Sequence, residues 1–294
     1  MPPLRIHAAL LTVALFFSAN YVISKLGMRE FAPLTFAWLR VAGSAIVLWF
    51  IARHDPAPAL TREDGRRVFG YAILGVVVNQ TLFLTGLSLT TVQSASVLIT
   101  TIPVFALGAA ILAGAERAST ARMSGIALAG FGALLVVGGE SVEGSWRSTA
   151  GAVMIVLNCL SFALYLVISK PAMSRLSARR VVARMFSAAT FVMLPICGVS
   201  LWREEWHSIP PAAWVALALV IAGPTVGAYL LNAWALRHAD SSMVAIYIYV
   251  QPVLATILGA LILGEKLRPS IAVAAALIFT GVWIAGRQKT AIAV

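Results

Sequence analysis

Ten stretches of about twenty apolar residues follow one another with only short polar breaks between them, and this pattern leaves few folds open. The runs fall at roughly 5–27, 32–52, 68–89, 92–114, 121–139, 150–170, 181–202, 212–235, 242–263 and 269–286, each long enough for a helix to cross hydrocarbon. They predict an all-α membrane protein of ten transmembrane helices. The breaks are turn-like or charged: Arg53–Arg67, Ser141–Ser148, Arg203–Pro211 and Arg237–Asp240. None has room for a soluble domain. Only 11% of the residues are charged and 60% are hydrophobic, where a soluble domain carries about 25% charged. The first run is too long for a signal-peptide core and leads straight into another span.

The net charge of +11 does not point to nucleic acid, because the basic residues sit between apolar runs and no basic surface is interleaved with aromatics. Lysine and arginine in short loops set membrane orientation instead. With the N-terminus inside, fifteen fall on the cytoplasmic side and six outside, while Arg40 lies within a span. Both termini are therefore expected in the cytoplasm. Arginine outnumbers lysine and alanine is abundant, which suggests a bacterial chain and so the inner membrane. Cys159 and Cys197 lie inside apolar spans and read as small buried residues; no metal-ligand spacing occurs, and no cofactor is expected.

The chain repeats itself. Val22-Ile23-Ser24-Lys25 returns as Val167-Ile168-Ser169-Lys170. Further on, Pro103, Val104, Leu112, Glu116 and Gly132 match Pro252, Val253, Leu261, Glu265 and Gly281 in the same order. The units are 1–148 and 149–294, each of five helices. Five is odd, so the second copy is expected upside down relative to the first. Inverted repeats let a site near the midplane open to either side as the halves exchange conformations.

The tracts Pro103-Val104 to Ala115-Glu116 and Pro252-Val253 to Gly264-Glu265, each followed by a Gly-rich helix, resemble the drug/metabolite transporter superfamily and its EamA-type members. Within that group the ten-helix amino-acid exporters of the YddG type are similar. The resemblance covers nearly the whole chain. It implies a central cavity between the halves, lined mainly by spans 1, 3, 4, 6, 8 and 9, and substrates that include amino acids and other metabolites.

Polar side chains inside spans are costly, so they face the bundle interior or a watery cavity. Span 1 carries Asn20 and Ser24 four apart, with Phe16 a turn before. Span 6 carries Asn158, Ser161, Tyr165 and Ser169 on one stripe, and Tyr165 is the repeat equivalent of Asn20. Span 3 offers Asn79, Gln80 and Phe83; span 8 offers Thr225, Tyr229 and Asn232. Ser94 and Thr101 share a face of span 4, as Tyr247 and Gln251 do in span 9. Amides both donate and accept, which suits the two ends of a zwitterion. The same side chains also serve as helix–helix hydrogen bonds, and the sequence leaves both readings open. Pro103 and Pro252 are expected to kink their helices, and their recurrence in both halves favours mobile kinks over static ones. Arg40 either attracts a carboxylate or braces neighbouring backbone carbonyls. Glu116 and Glu265 close matched helices, where capping or loop pairing is the simpler role. Gly125, Ala129 and Gly132, with Ala272, Ala276 and Gly281, predict close packing of the last helix of each half, as internal scaffold rather than a dimer face.

All eleven acidic residues lie in loops or at span ends, as do His7, His54, His207 and His238. This argues against an acid-based proton relay and against a site for lipophilic cations. The expected mechanism is facilitated diffusion or exchange of a small neutral or zwitterionic solute, amino acids foremost. Phosphorylated metabolites would want several cavity cations, and only Arg40 is offered; a multidrug exporter is the other transporter reading. A membrane enzyme would need a nucleophile, base or metal cluster, and no such set appears. A receptor or scaffold is the remaining alternative of a different class.

Overall fold

The structure, a computed structural model, describes residues 3–57, 60–114, 117–143, 146–228, 231, 247 and 250–286. Ten helical segments run through them: α1 Pro3–Gly27, α2 Pro33–Ala52, α3 Arg62–Leu89, α4 Val92–Leu112, α5 Thr120–Glu143, α6 Trp146–Arg175, α7 Ala178–Arg203, α8 Pro211–Gly227, α9 Val250–Leu263 and α10 Pro269–Gly286. Among the described residues there is no strand. Seven helices are long and apolar enough to cross a membrane, and α8, α9 and α10 contribute shorter apolar segments.

The ends of the helices follow local chemistry. Pro33 and Pro211 stand at the first helical positions of α2 and α8, where a missing N–H costs nothing. Helix α3 starts at Arg62, earlier than the apolar run near 68 predicts. Thr61 and Asp64 form a capping box there, with Asp64 N donating to Thr61 Oγ1 at 3.1 Å. Thr91 caps α4 in the same way, accepting from Ser94 N at 3.1 Å.

Three helices are irregular inside the bundle. In α3, Ile73–Val78 is a π-turn, and in α8 Ile221–Gly227 is another, with Pro224 inside it. Such turns widen the helix and release carbonyls from the ordinary ladder. Helix α4 is interrupted at Thr100–Thr101, where Thr101 N donates to Leu98 O in a tighter turn before the helix restarts at Ile102. Pro103 supplies no N–H and crowds the carbonyl of Ile99, which accounts for the break.

Exposure is inverted relative to a water-soluble globule. Phe191, Leu261 and Trp202 lie exposed on the outside, while Ser18, Ser24, Ser94, Ser96 and Thr100 are fully buried. Contiguous outward apolar surface on this scale suits hydrocarbon rather than water. Tightest is the packing of α5 on α10. A Cβ at Gly281 would lie 2.6 Å from both Ala129 N and Gly125 O, and one at Gly132 would lie 2.9 Å from Ala274 O. The small-residue stripes thus act as internal scaffold, as expected, with Ala274 rather than Ala272 or Ala276 facing Gly132. Helix α2 packs on α7, α3 and α4 on α6, and α1 on α8 and α9.

Candidate functional site

The polar residues of the spans gather where six helices meet. On α1, Ser24 Oγ donates to Asn20 Oδ1 at 3.2 Å, and both residues are buried. One residue after Asn20, Tyr21 meets Phe83 of α3 edge to face, 5.8 Å between centroids. Ser18 Oγ reaches the carbonyl of Gln251 on α9 at 3.2 Å. Phe16 lies over Gly223 and Gly227 of α8. From α6, Asn158 Nδ2 donates to the Asn79 carbonyl of α3 at 2.8 Å, and Cys159 Sγ to Leu98 O of α4 at 3.5 Å. These contacts join α1, α3, α4, α6, α8 and α9.

Several side chains predicted for the site hold the backbone. Asn158 and Ser161 donate to the carbonyls of Asn79 and Leu74, beside the π-turn of α3. A buried carbonyl without a donor would cost about 1–3 kcal/mol, so these contacts stabilise the irregular turn. Ser94 belongs to the cap of α4, and Thr101 Oγ1 donates to Leu98 O at the break. Tyr165 packs against Tyr71, Phe162 and the bare face of Gly75. Arg40, buried on α2, donates from Nε to Thr225 Oγ1 at 3.2 Å, and Thr225 Oγ1 in turn donates to the carbonyl of Val220, just before the π-turn of α8.

Among the described residues, two acceptors beside Asn79 have no partner. Gln80 donates to Asn79 Oδ1 at 3.3 Å, yet its own Oε1 is buried without a donor, as is Asn158 Oδ1. Both amides are anchored on Asn79 by their nitrogens. Sequence reading singles out these residues, but not which oxygens stay unengaged.

Tyr247 lies elsewhere. Its hydroxyl meets His7 Nδ1 at 2.5 Å, and His7 is about 20 Å along α1 from Asn20 at 1.5 Å per residue. Gln251 and Pro252 are buried in the first turn of α9. Asn232, Tyr229 and Glu116 lie outside the described residues.

Glu265 closes one end of this constellation. Gly264, at φ +68°, reverses the chain after α9, and Glu265 N then donates back to Gly259 O at 3.2 Å. The carboxylate accepts from Lys25 Nζ at 3.0 Å, from Val92 N at 2.8 Å and from Gln93 N at 3.3 Å. Lys25 also donates to Thr90 O at 2.7 Å. One carboxylate therefore ties α1, α4 and the end of α9 together. The capping role expected for it holds, and Lys25 is the partner that sequence reading missed. Lys170, which ends the matching Val-Ile-Ser-Lys tract, is exposed.

Among the described residues no group of His, Cys, Asp and Glu is placed to hold a metal. The chain is similar, at 24% identity over 95% of its length and 96% of the relative's, to an uncharacterised transporter of Archaeoglobus fulgidus. It is 23% identical to the uncharacterised inner membrane transporter YedA of Escherichia coli, over 90% of this chain and 85% of that one. A crystal structure with 18% sequence identity superposes at a TM-score of 0.61, covering 95% of this chain and 97% of the other, and shares the fold. The model of the EamA-like transporter family matches residues 4–138 and again 149–287. This multi-pass membrane protein belongs to the EamA-like transporter family, a branch of the drug/metabolite transporter superfamily.

Proposed function

We propose that this transporter exports small neutral or zwitterionic metabolites, amino acids foremost, across a bacterial inner membrane as a facilitator or exchanger working by alternating access. The observation that carries the reading is the pair of unengaged buried acceptors, Gln80 Oε1 and Asn158 Oδ1, held around Asn79. Two amide oxygens present partial negative charge without a formal charge, which suits an ammonium or amide N–H. Asn20 and Ser24 are on α1, whose Tyr21 meets Phe83, four residues after Asn79 on α3. Arg40 is engaged with Thr225 and Lys25 with Glu265, so among the described residues these cations are not gathered for a phosphate.

Alternating access is supported by the twofold match of the family to halves of similar length. Exchanging the halves also interconverts the helix pairings: α1 on α9 becomes α6 on α4, and α1 on α8 becomes α6 on α3. Under an inverted repeat of residues 1–148 and 149–294, the Lys25 end is closed by Glu265 while Lys170 stands exposed at the other. With both termini cytoplasmic, the end tied by Lys25 and Glu265 is the outer one. The break before Pro103 and the first turn of α9 at Pro252 are the flexible points.

The test is counterflow uptake of labelled phenylalanine, threonine and methionine in proteoliposomes, with and without a pH gradient. Saturable uptake indifferent to the gradient is the expected result. No uptake of any amino acid by folded protein refutes the substrate class; uphill accumulation driven by the gradient refutes the mechanism.

A further inference from the structure

Away from the interior constellation, a cavity of about 750 Å³ opens where α2 ends and where α3 and α7 begin. Five arginines line it: Arg53 from α2, Arg62 and Arg66 from α3, Arg180 and Arg184 from α7. Among the described residues no acidic one lines it. The nearby carboxylates are already engaged outside it. Glu63 pairs with Arg67 at 2.6 Å, Asp64 with Arg175 at 2.6 Å, and Asp55 accepts from Ser177 Oγ at 2.6 Å. Of the five, Arg180 has a hydrogen bond, to the Asp55 carbonyl at 2.7 Å, and its Nε is buried without a partner. The starts of α3 and α7 add the positive ends of two helix dipoles. So many like charges in one recess repel one another unless an anion joins them.

Apolar groups complete the lining. Trp49, Leu60 and Phe69 contribute, with Trp49 and Phe69 half exposed, and Arg53 lies 5.5 Å over the Trp49 ring. An aromatic rim at the end of spans marks the level where headgroups meet acyl chains. Arg53 stands about 20 Å along α2 from Arg40, so the recess is separate from the interior polar residues.

We propose that this recess binds the phosphate headgroup of an anionic membrane lipid. The guanidinium groups form bidentate hydrogen bonds to phosphate oxygens, while Trp49 and Phe69 pack against the first carbons of the acyl chains. A soluble phosphate compound would use the same arginines and leave the aromatic rim without a role.

The test is native mass spectrometry of protein taken from micelles containing equal phosphatidylglycerol and phosphatidylcholine. Wild type is expected to retain phosphatidylglycerol selectively. The pair Arg66→Gln/Arg184→Gln lowers that selectivity by about twentyfold, from roughly fivefold for each cation near the surface. The pair Arg147→Gln/Arg203→Gln removes the same charge from the far ends of α6 and α7 and leaves selectivity within twofold. Equal effects of the two pairs, or none from the first, overturn the proposal. Displacement of the lipid by millimolar inorganic phosphate overturns the lipid assignment in favour of a soluble anion. Because Arg66 and Arg184 are exposed, the variants are expected to melt with wild type. If they do not, the salt dependence of retention by wild type decides: selectivity that is the same in low salt and in ~0.5 M salt also overturns it.

Discussion

Replacing Glu265 with glutamine keeps the shape of the side chain and removes its charge. The carboxylate lies 3.0 Å from Lys25 Nζ and accepts two N–H bonds from the first turn of α4. A hydrogen bond to a charged group contributes about 1.5–3 kcal/mol, and an anion at a helix start about 0.3–1 kcal/mol. The two side chains keep 24% and 13% of their surface, so solvent screens part of this, and about 2 kcal/mol remains. In an alternating-access cycle that energy belongs to the state closed at this end. Its loss shifts the equilibrium toward opening by roughly thirtyfold. Ser88 lines the small cavity beside the pair, and both native cysteines are buried, so Ser88→Cys gives one reportable thiol. Labelling by a membrane-impermeant maleimide is expected to speed up about thirtyfold in Glu265→Gln and by a similar amount in Lys25→Met. Adding the second substitution to the first changes little more, since one contact is lost in both. A labelling rate within twofold of the parent in both variants refutes the reasoning.

Three further outcomes follow from the geometry. Gly281→Val forces a side chain to within 2.6 Å of α5 backbone, so folded yield in detergent collapses, while Gly130→Ala, with open space at its Cβ, leaves the melting temperature unchanged. Asn158→Ala removes the donor to the Asn79 carbonyl and costs about 1–3 kcal/mol, read as a lowered melting temperature; Asn20→Ala leaves melting nearer wild type and raises the KM for solute. In the loop after α2, the Ser177 hydroxyl and the Ala57 N–H hold the Asp55 carboxyl below its ordinary range. A depressed pKa contributes stability above the unfolded value near ~3.9 and loses it as pH falls through the folded value. The stability gap between wild type and Asp55→Asn is therefore constant from pH 5 to 8 and closes in acid; a gap that widens below pH 4 contradicts it.

The spans were legible because hydrocarbon imposes a length and a composition that no interior packing overrides. The capping role of Glu265 was legible too, since a side chain at a helix boundary faces unsatisfied backbone groups whatever the fold; the Thr61 cap was not, because the apolar run begins several residues later. The division of labour among buried polar residues was not. Asn158, Ser161 and Gln80 look alike in a hydropathy profile, yet two of them support carbonyls near a π-turn that no periodicity announces. The partner of Arg40 was equally hidden, because Thr225 is 185 residues away and is presented by a second π-turn. The five-arginine recess read as a topology signal; only the convergence of α2, α3 and α7 makes it one place.

The glycine contact between α5 and α10 has a mechanical consequence. Gly281 sets its backbone against that of Ala129 and Gly125, and Gly132 receives Ile278 Cγ1 and the Ala274 carbonyl with no space to spare, so these two helices behave as one rigid strut. Spin labels on their outward faces, at Phe131 and Val273, would keep one distance throughout the cycle, with or without solute. Movement of α4 and α9 then has a fixed frame against which to be measured, and that frame is built from the absence of two methyl groups.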